Sequence, residues 1–250
     1  ASLNNNNALA VSNVIGSNIF NLMVVCGVCA LFTPLAVSKD TLKKEFPFSI
    51  ICAILLAALG AVGMTLGRID GIVFLVIFAV YLCLMIVSDK ELEEEVDEEI
   101  KILPVWQCIV YIIGGAVAIK FGGDFVVDGA STIATGFGIS QNLIGLTIVA
   151  LGTSLPELVT SIVAAKKNEV DMALGNVIGS NIFNILLVLG VAGAISPVAF
   201  VTENLIDIAI LVVMSVVVWI FAWSKKKLVN WHGAVMLVSY VAYLVYICIR

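Results

Sequence analysis

The chain has 250 residues, 61% of them apolar and only 12% charged, with a formal charge of −5 and a mean hydropathy of +1.13. Soluble domains carry about twice that share of charge, so a water-soluble globular protein is excluded. The acidic balance also excludes a nucleic-acid binder, which needs a basic face.

Eight apolar segments follow one another, at approximately 8–32, 47–66, 71–88, 103–134, 143–165, 172–195, 205–223 and 231–249. A run of about 20 apolar residues crosses roughly 30 Å of hydrocarbon as a helix. Helices satisfy their own backbone groups in lipid, so the expected fold class is all-α, a polytopic membrane protein with about eight transmembrane helices. The fourth segment is over-long and carries Lys120, Asp124 and Asp128 past its midpoint. That predicts a tilted helix, a bend at Gly122 and Gly123, or a partly interfacial course.

The connections add sidedness. The first, third, fifth and seventh hold Lys39, Lys43, Lys44, Lys90, Lys101, Lys166, Lys167, Lys225, Lys226 and Lys227, against Arg68 and the terminal Arg250 on the other side. Lysine-rich loops stay cytoplasmic, which places both chain ends outside. The acidic run KELEEEVDEEIK at 90–101 lacks the spacing of an EF-hand loop and reads as a solvated linker. TGFG at 135–138 shares letters with a potassium-channel filter, but lacks the residue between its threonine and first glycine; it reads as a glycine-rich turn. The six cysteines lie in or beside apolar runs and read as small buried hydrophobes. Cys26 and Cys29 form a CxxC, yet the chain has one histidine and no second CxxC, so no zinc site is expected. His232, beside Trp231, reads as an interfacial residue. The chain opens at Ala1 with no cleavable leader and reads as part of a longer protein.

Residues 12–37 align without gaps to residues 175–200, and NVIGSNIFN is identical in both. The two copies fall in the first and sixth segments. The second copy comes five segments after the first, an odd displacement, so the two run oppositely through the membrane: an inverted-topology repeat, as in many secondary transporters.

Within the second copy Asn176, Ser180 and Asn184 recur every four residues and share a helical face, as do Asn13, Ser17 and Asn21 in the first. These are two stripes of neutral oxygen donors. They fit a cation path, or else glue between helices that Gly16 and Gly179 allow to approach closely. GLTIVALGTSLPELVTS at 145–161 adds charge. Pro156 has no N–H for the Gly152 carbonyl, and Glu157 lies one turn after Thr153 on the same face. A carboxylate at bilayer depth costs at least ~2.5 kcal/mol on insertion scales and marks a functional site. Carboxylate, carbonyl, hydroxyl and amide oxygens suit Na⁺, Ca²⁺ or Mg²⁺.

The stretch at 145–161 followed by GNVIGSNIFN resembles the second α-repeat of the cation/calcium antiporter superfamily, the sodium/calcium exchangers and their prokaryotic relatives. SNVIGSNIFN at 12–21 resembles the latter part of the first α-repeat. The resemblance implies an expected ten helices, of which the eight here match the third to tenth. It divides the chain into the remainder of the first repeat (1–88, three helices), an acidic cytoplasmic linker (89–103) and the second repeat (104–250, five helices). It implies a central calcium site with Glu157 and the Thr153 carbonyl, and flanking sodium sites lined by Ser154, the Ala150 carbonyl, Ser180 and Ser17. Asn184 and Asn21 fall where family members carry Asn or Asp near the central site, and an amide there leans against a potassium-dependent subtype.

The implied activity is exchange of Ca²⁺ for Na⁺ by alternating access, with no enzymatic step and no resident cofactor. Its partners are those two ions and the lipid bilayer, without nucleic acid, in a protein that is monomeric and sits in a prokaryotic plasma membrane. Two alternatives stand beside it: a Ca²⁺/H⁺ antiporter of the same fold, with Glu157 carrying the counter-proton, and a truncated fragment that does not transport.

Overall fold

The computed structural model describes residues 7–92, 103–138, 152, 154–167 and 169–249. The first half holds α1 (Asn7–Phe20), a π-helical turn (Asn21–Val25), α2 (Cys26–Phe32), β1 (Leu35–Ala36), a second π turn (Thr41–Glu45), α3 (Phe46–Ala61), β2 (Thr65–Leu66) and α4 (Arg68–Leu92). Then come α5 (Val105–Gly136) and α6 (Leu155–Lys166). The second half holds α7 (Val170–Phe183), a third π turn (Asn184–Val188), α8 (Leu189–Ile195), β3 (Val198–Ala199), α9 (Thr202–Lys225), β4 (Lys227–Leu228) and α10 (Asn230–Ile249). Among the described residues, seven helical runs are long and apolar enough to cross a membrane. The protein is a mostly helical, polytopic, integral membrane protein.

The likeness of the halves extends well beyond the identical residues. Each copy of NVIGSNIFN ends in a π turn whose first residue is its last asparagine, and Cys26 N–H and Leu189 N–H bond back to the carbonyls of Asn21 and Asn184. Each then leaves the helix through an extended hydroxyl residue, Thr33 at φ −145°, ψ 130° and Ser196 at φ −148°, ψ 134°. The short strands pair across the halves, β1 antiparallel to β4 with Leu35 opposite Leu228, and β2 antiparallel to β3 with Leu66 opposite Val198. Val37 N–H donates to the Lys226 carbonyl and Phe200 N–H to the Met64 carbonyl, both at 2.9 Å. Met64 and Lys226 are left-handed, at φ 50° and 52°. A two-fold relation exchanges the halves, with α2 on α10 answering α8 on α4, and α1 on α9 answering α7 on α3. The pairings bring the connections bearing Lys39, Lys43, Lys44, Lys226 and Lys227 to one end of the molecule, and the one bearing Arg68 to the other.

The core lies where α1 and α7 meet. Ile15, Ile19, Ile178 and Ile182 are all 2% exposed or less. Around it, α2 packs on α10 so closely that a Cβ at Gly233 would lie 2.5 Å from the Gly27 carbonyl oxygen, and α4 packs on α8 so closely that one at Gly71 would lie 2.6 Å from the Gly190 carbonyl oxygen.

Several sequence expectations are corrected. Gly16 and Gly179 do not mediate close approach: a Cβ at either meets nothing within 4 Å among the described residues. That task falls to the four glycines just named. Helix α5 runs unbroken through Gly122 and Gly123, because glycine weakens a helix without removing a hydrogen bond. Its Lys120 and Asp124 neutralise one another at 2.9 Å, and Gly138, at φ +78°, ends it in the expected turn. Only Cys26, Cys29 and Cys52 are buried, while Cys83 and Cys248 lie on exposed helix faces; all six thiols are free. His232 is buried, stacked on Phe221 at 4.6 Å. The four strands, two residues each, carry no pattern that the sequence could reveal. The acidic run at 93–101 lies outside the described residues.

Candidate cation site

The fifth segment was expected as one apolar helix with a proline in its middle. Its described helix begins instead at Leu155, after Ser154 at φ −107°, ψ 5°. Pro156 therefore sits in the first turn, where an absent N–H costs nothing. Glu157 shares that turn, and the positive end of the helix dipole favours its carboxylate.

The next helix clamps this one. Asn176 on α7 donates from Nδ2 to Thr160 Oγ1 and Ser161 Oγ, both at 3.0 Å. The hydroxyls pass the bonds on, Ser161 to the Ala173 carbonyl at 3.3 Å and Thr160 to the Pro156 carbonyl at 2.9 Å. Asn176 thus holds α6 against α7 through its amide nitrogen. Its counterpart Asn13 is exposed.

The repeats meet through four asparagines. Asn18 Nδ2 donates to the Asn181 backbone carbonyl at 3.1 Å, and Asn181 Nδ2 donates to the Asn18 backbone carbonyl at 3.1 Å. Asn184 Nδ2 donates to Asn18 Oδ1 at 3.0 Å, and Asn21 Nδ2 to Asn181 Oδ1 at 3.3 Å. Asn18, Asn21 and Asn181 are 1%, 0% and 3% exposed. Beside this cluster the Ser17 and Ser154 hydroxyls are 2.7 Å apart, tying α1 to the start of α6.

Three buried side-chain oxygens have no partner among the described residues: Ser131 Oγ on α5, and two that stand out against this background of satisfied groups. Asn21 Oδ1 and Glu157 Oε2 are buried and have no hydrogen-bond partner among the described residues. A buried unsatisfied polar group costs about 1–3 kcal/mol, and more if charged. Helix α6 packs against the π turn that begins at Asn21, so the two oxygens belong to neighbouring elements. A π turn inside a helix is rare, and functional sites are where it concentrates.

Of the residues expected at the site, the structure joins Ser17 to Ser154 and links Asn21 and Asn184 through one hydrogen-bonded cluster. Ser180 is half-buried on α7, one turn before Asn184. Thr153 and Ala150 lie outside the described residues. Sequence reasoning missed Asn18 and Asn181. Their signal was their place inside the identical nonapeptide, next to the serines that were chosen.

A family model described as sodium/calcium exchanger protein matches residues 1–87 and 108–249. The chain belongs to the sodium/calcium exchanger family. That family is one of transporters, not of enzymes. The chain is 45% identical over 195 residues to the putative antiporter CaxA of Alkalimonas amylolytica, across 75% of this chain and 61% of that protein. It is 38% identical to the sodium/calcium exchanger MaX1 of Methanosarcina acetivorans, across 55% of this chain and 39% of that one. The solved sodium-calcium exchanger NCX_Mj superposes with a TM-score of 0.82 at 33% identity, covering 99% of this chain and 79% of its own. The chain thus spans less than two thirds of the length of these two curated exchangers and antiporters.

Proposed function

We propose that this member of the exchanger family moves Ca²⁺ against Na⁺ across the membrane, by alternating access at the site where α6 meets the two asparagine-led π turns. One observation carries the reading: Glu157 Oε2 and Asn21 Oδ1 are buried oxygens without partners in a protein that otherwise pairs its buried polar atoms there. A cation held by Glu157, Asn21 and Asn184, with the Thr153 carbonyl, would remove that penalty. Ser17, Ser154, Ser180 and the Ala150 carbonyl would serve flanking Na⁺. Calcium takes about 6–8 oxygen ligands and needs compensating charge. Calcium and a set of sodium ions therefore compete for the same carboxylate, which couples their movements in opposite directions. The names of MaX1 and NCX_Mj support sodium as the counter-ion.

In this reading the lysine-bearing end is cytoplasmic. The functional unit is a monomer divided at the acidic linker 89–103 into repeats 1–88 and 104–250. The test is uptake of radioactive calcium into proteoliposomes holding the protein expressed from its whole reading frame, under outward Na⁺ or H⁺ gradients. Na⁺-driven uptake that falls to background in Glu157→Gln is the expected result. Uptake driven by H⁺ alone would reassign the protein as a proton antiporter, and flux indifferent to Glu157→Gln would overturn the site.

A further inference from the structure

From the asparagine cluster we infer that Asn18 and Asn181 are positioning residues: they decide which end of the Asn184 and Asn21 amides faces the ion. The inference rests on the cation site proposed above. An amide presents a donor end and an acceptor end of nearly equal shape, and only its partners decide how it is turned. A backbone carbonyl can only accept. Asn18 must therefore aim its NH₂ at the Asn181 carbonyl, 3.1 Å away, which turns its Oδ1 the other way. That oxygen can only accept, so Asn184 must offer it Nδ2, at 3.0 Å, and direct its own oxygen elsewhere. The same sequence runs in the mirror direction from the Asn18 carbonyl through Asn181 to Asn21. It ends at Asn21 Oδ1, which is buried and unpartnered among the described residues.

Two acceptor-only groups in the backbone thus set the polarity of four side chains. Without Asn18 or Asn181, an amide at the site could turn its NH₂ toward the cation and repel it. Simple packing would not need this. Interhelical glue works with any complementary pair, whereas here each repeat orients the site amide of the other.

The experiment is a pair of mutant cycles on calcium affinity, measured by titration calorimetry on the purified full-length protein in nanodiscs. Partners that orient a metal ligand are typically worth about 10- to 100-fold in metal affinity. Asn18→Leu, which keeps the branched outline without the polar atoms, is expected to weaken binding by about that factor. Combined with Asn184→Ala it should add nothing further, because Asn18 acts only through Asn184. Combined with Asn21→Ala the two losses should multiply. The mirror cycle, Asn181→Leu with Asn21→Ala, makes the same test through separate variants should Asn18→Leu fail to fold. Losses that multiply within a pair, or wild-type affinity in both leucine variants, would overturn the inference. The underlying site has its own control. Glu157→Gln that still binds calcium as wild type removes the site itself, whereas loss in Glu157→Gln with multiplying cycles removes only the positioning role.

Discussion

At the start of α4 the Asp70 carboxylate accepts the Gly67 N–H at 2.8 Å; at the matching point of the second repeat His232 Nδ1 accepts the Val229 N–H at 3.1 Å. Before α3 the Ser38 hydroxyl accepts the Thr41 N–H, while before α9 the Asn204 side chain reaches back to the Val201 N–H, both at 3.1 Å. At these helix starts the repeats do one job with different chemistry, because an orphan N–H needs only some acceptor. At the α1–α7 meeting the repeats are identical through nine residues, since there each group must match a copy of its partner in size and in donor or acceptor sense. Divergence between repeats therefore measures how little a position demands.

The sharpest way to break that comparison is through the glycines that let helices touch. Gly71→Ala and Gly233→Ala should each cost about 1–3 kcal/mol by overpacking, read as loss of thermal stability in detergent. Because they lie in different helix pairs, the double variant should show nearly the sum. Next come the caps. Asp70→Ala should lose about 1 kcal/mol, whereas Asp70→Asn, which keeps an acceptor, should stay within about 0.5 kcal/mol of wild type. A large loss in Asp70→Asn would mean that charge, not acceptance, is what the first repeat needs there.

Gly16→Ala and Gly179→Ala should go the other way, gaining about 0.5–1 kcal/mol each, since among the described residues their Cβ atoms would meet nothing within 4 Å. The smallest effect belongs to the exposed Asp40–Lys44 pair, 3.0 Å long. Lys44→Ala should shift stability by no more than about 0.5 kcal/mol, and the shift should vanish in high salt.

Much of the architecture was legible in one dimension. Apolar length located the spans, and a nonapeptide repeated five segments further on, an odd displacement, required an inverted second half. Glu157 and the asparagines at the ends of the stripes were legible as well, because charge and amides stand out in lipid. Three-dimensional crossing was not. A spacing of four groups Asn13 with Ser17 and Asn21, but the helix surface that meets the other repeat runs through Asn18, and Asn13 is left exposed. Gly16 and Gly27 look alike in a sequence; only the fold tells that a Cβ at one would meet nothing within 4 Å among the described residues and at the other the Gly233 carbonyl. Two-residue strands and five-residue π turns are too short to create a period.

The exchanged strands carry a consequence for how the halves depend on one another. β1 finds its partner only in β4, and β3 only in β2, so among the described residues neither half completes its own edge. A half-length chain with this design would satisfy its strands only by embracing a second copy inserted the other way up. That is the geometry of a strand-swapped homodimer, here contained within one chain. Residues beside the axis of such a dimer face their own images, and Asn18 opposite Asn181 still does. A contact between a stretch and its own image asks the same of both sides, and the longest identical stretch of the two halves sits where they meet.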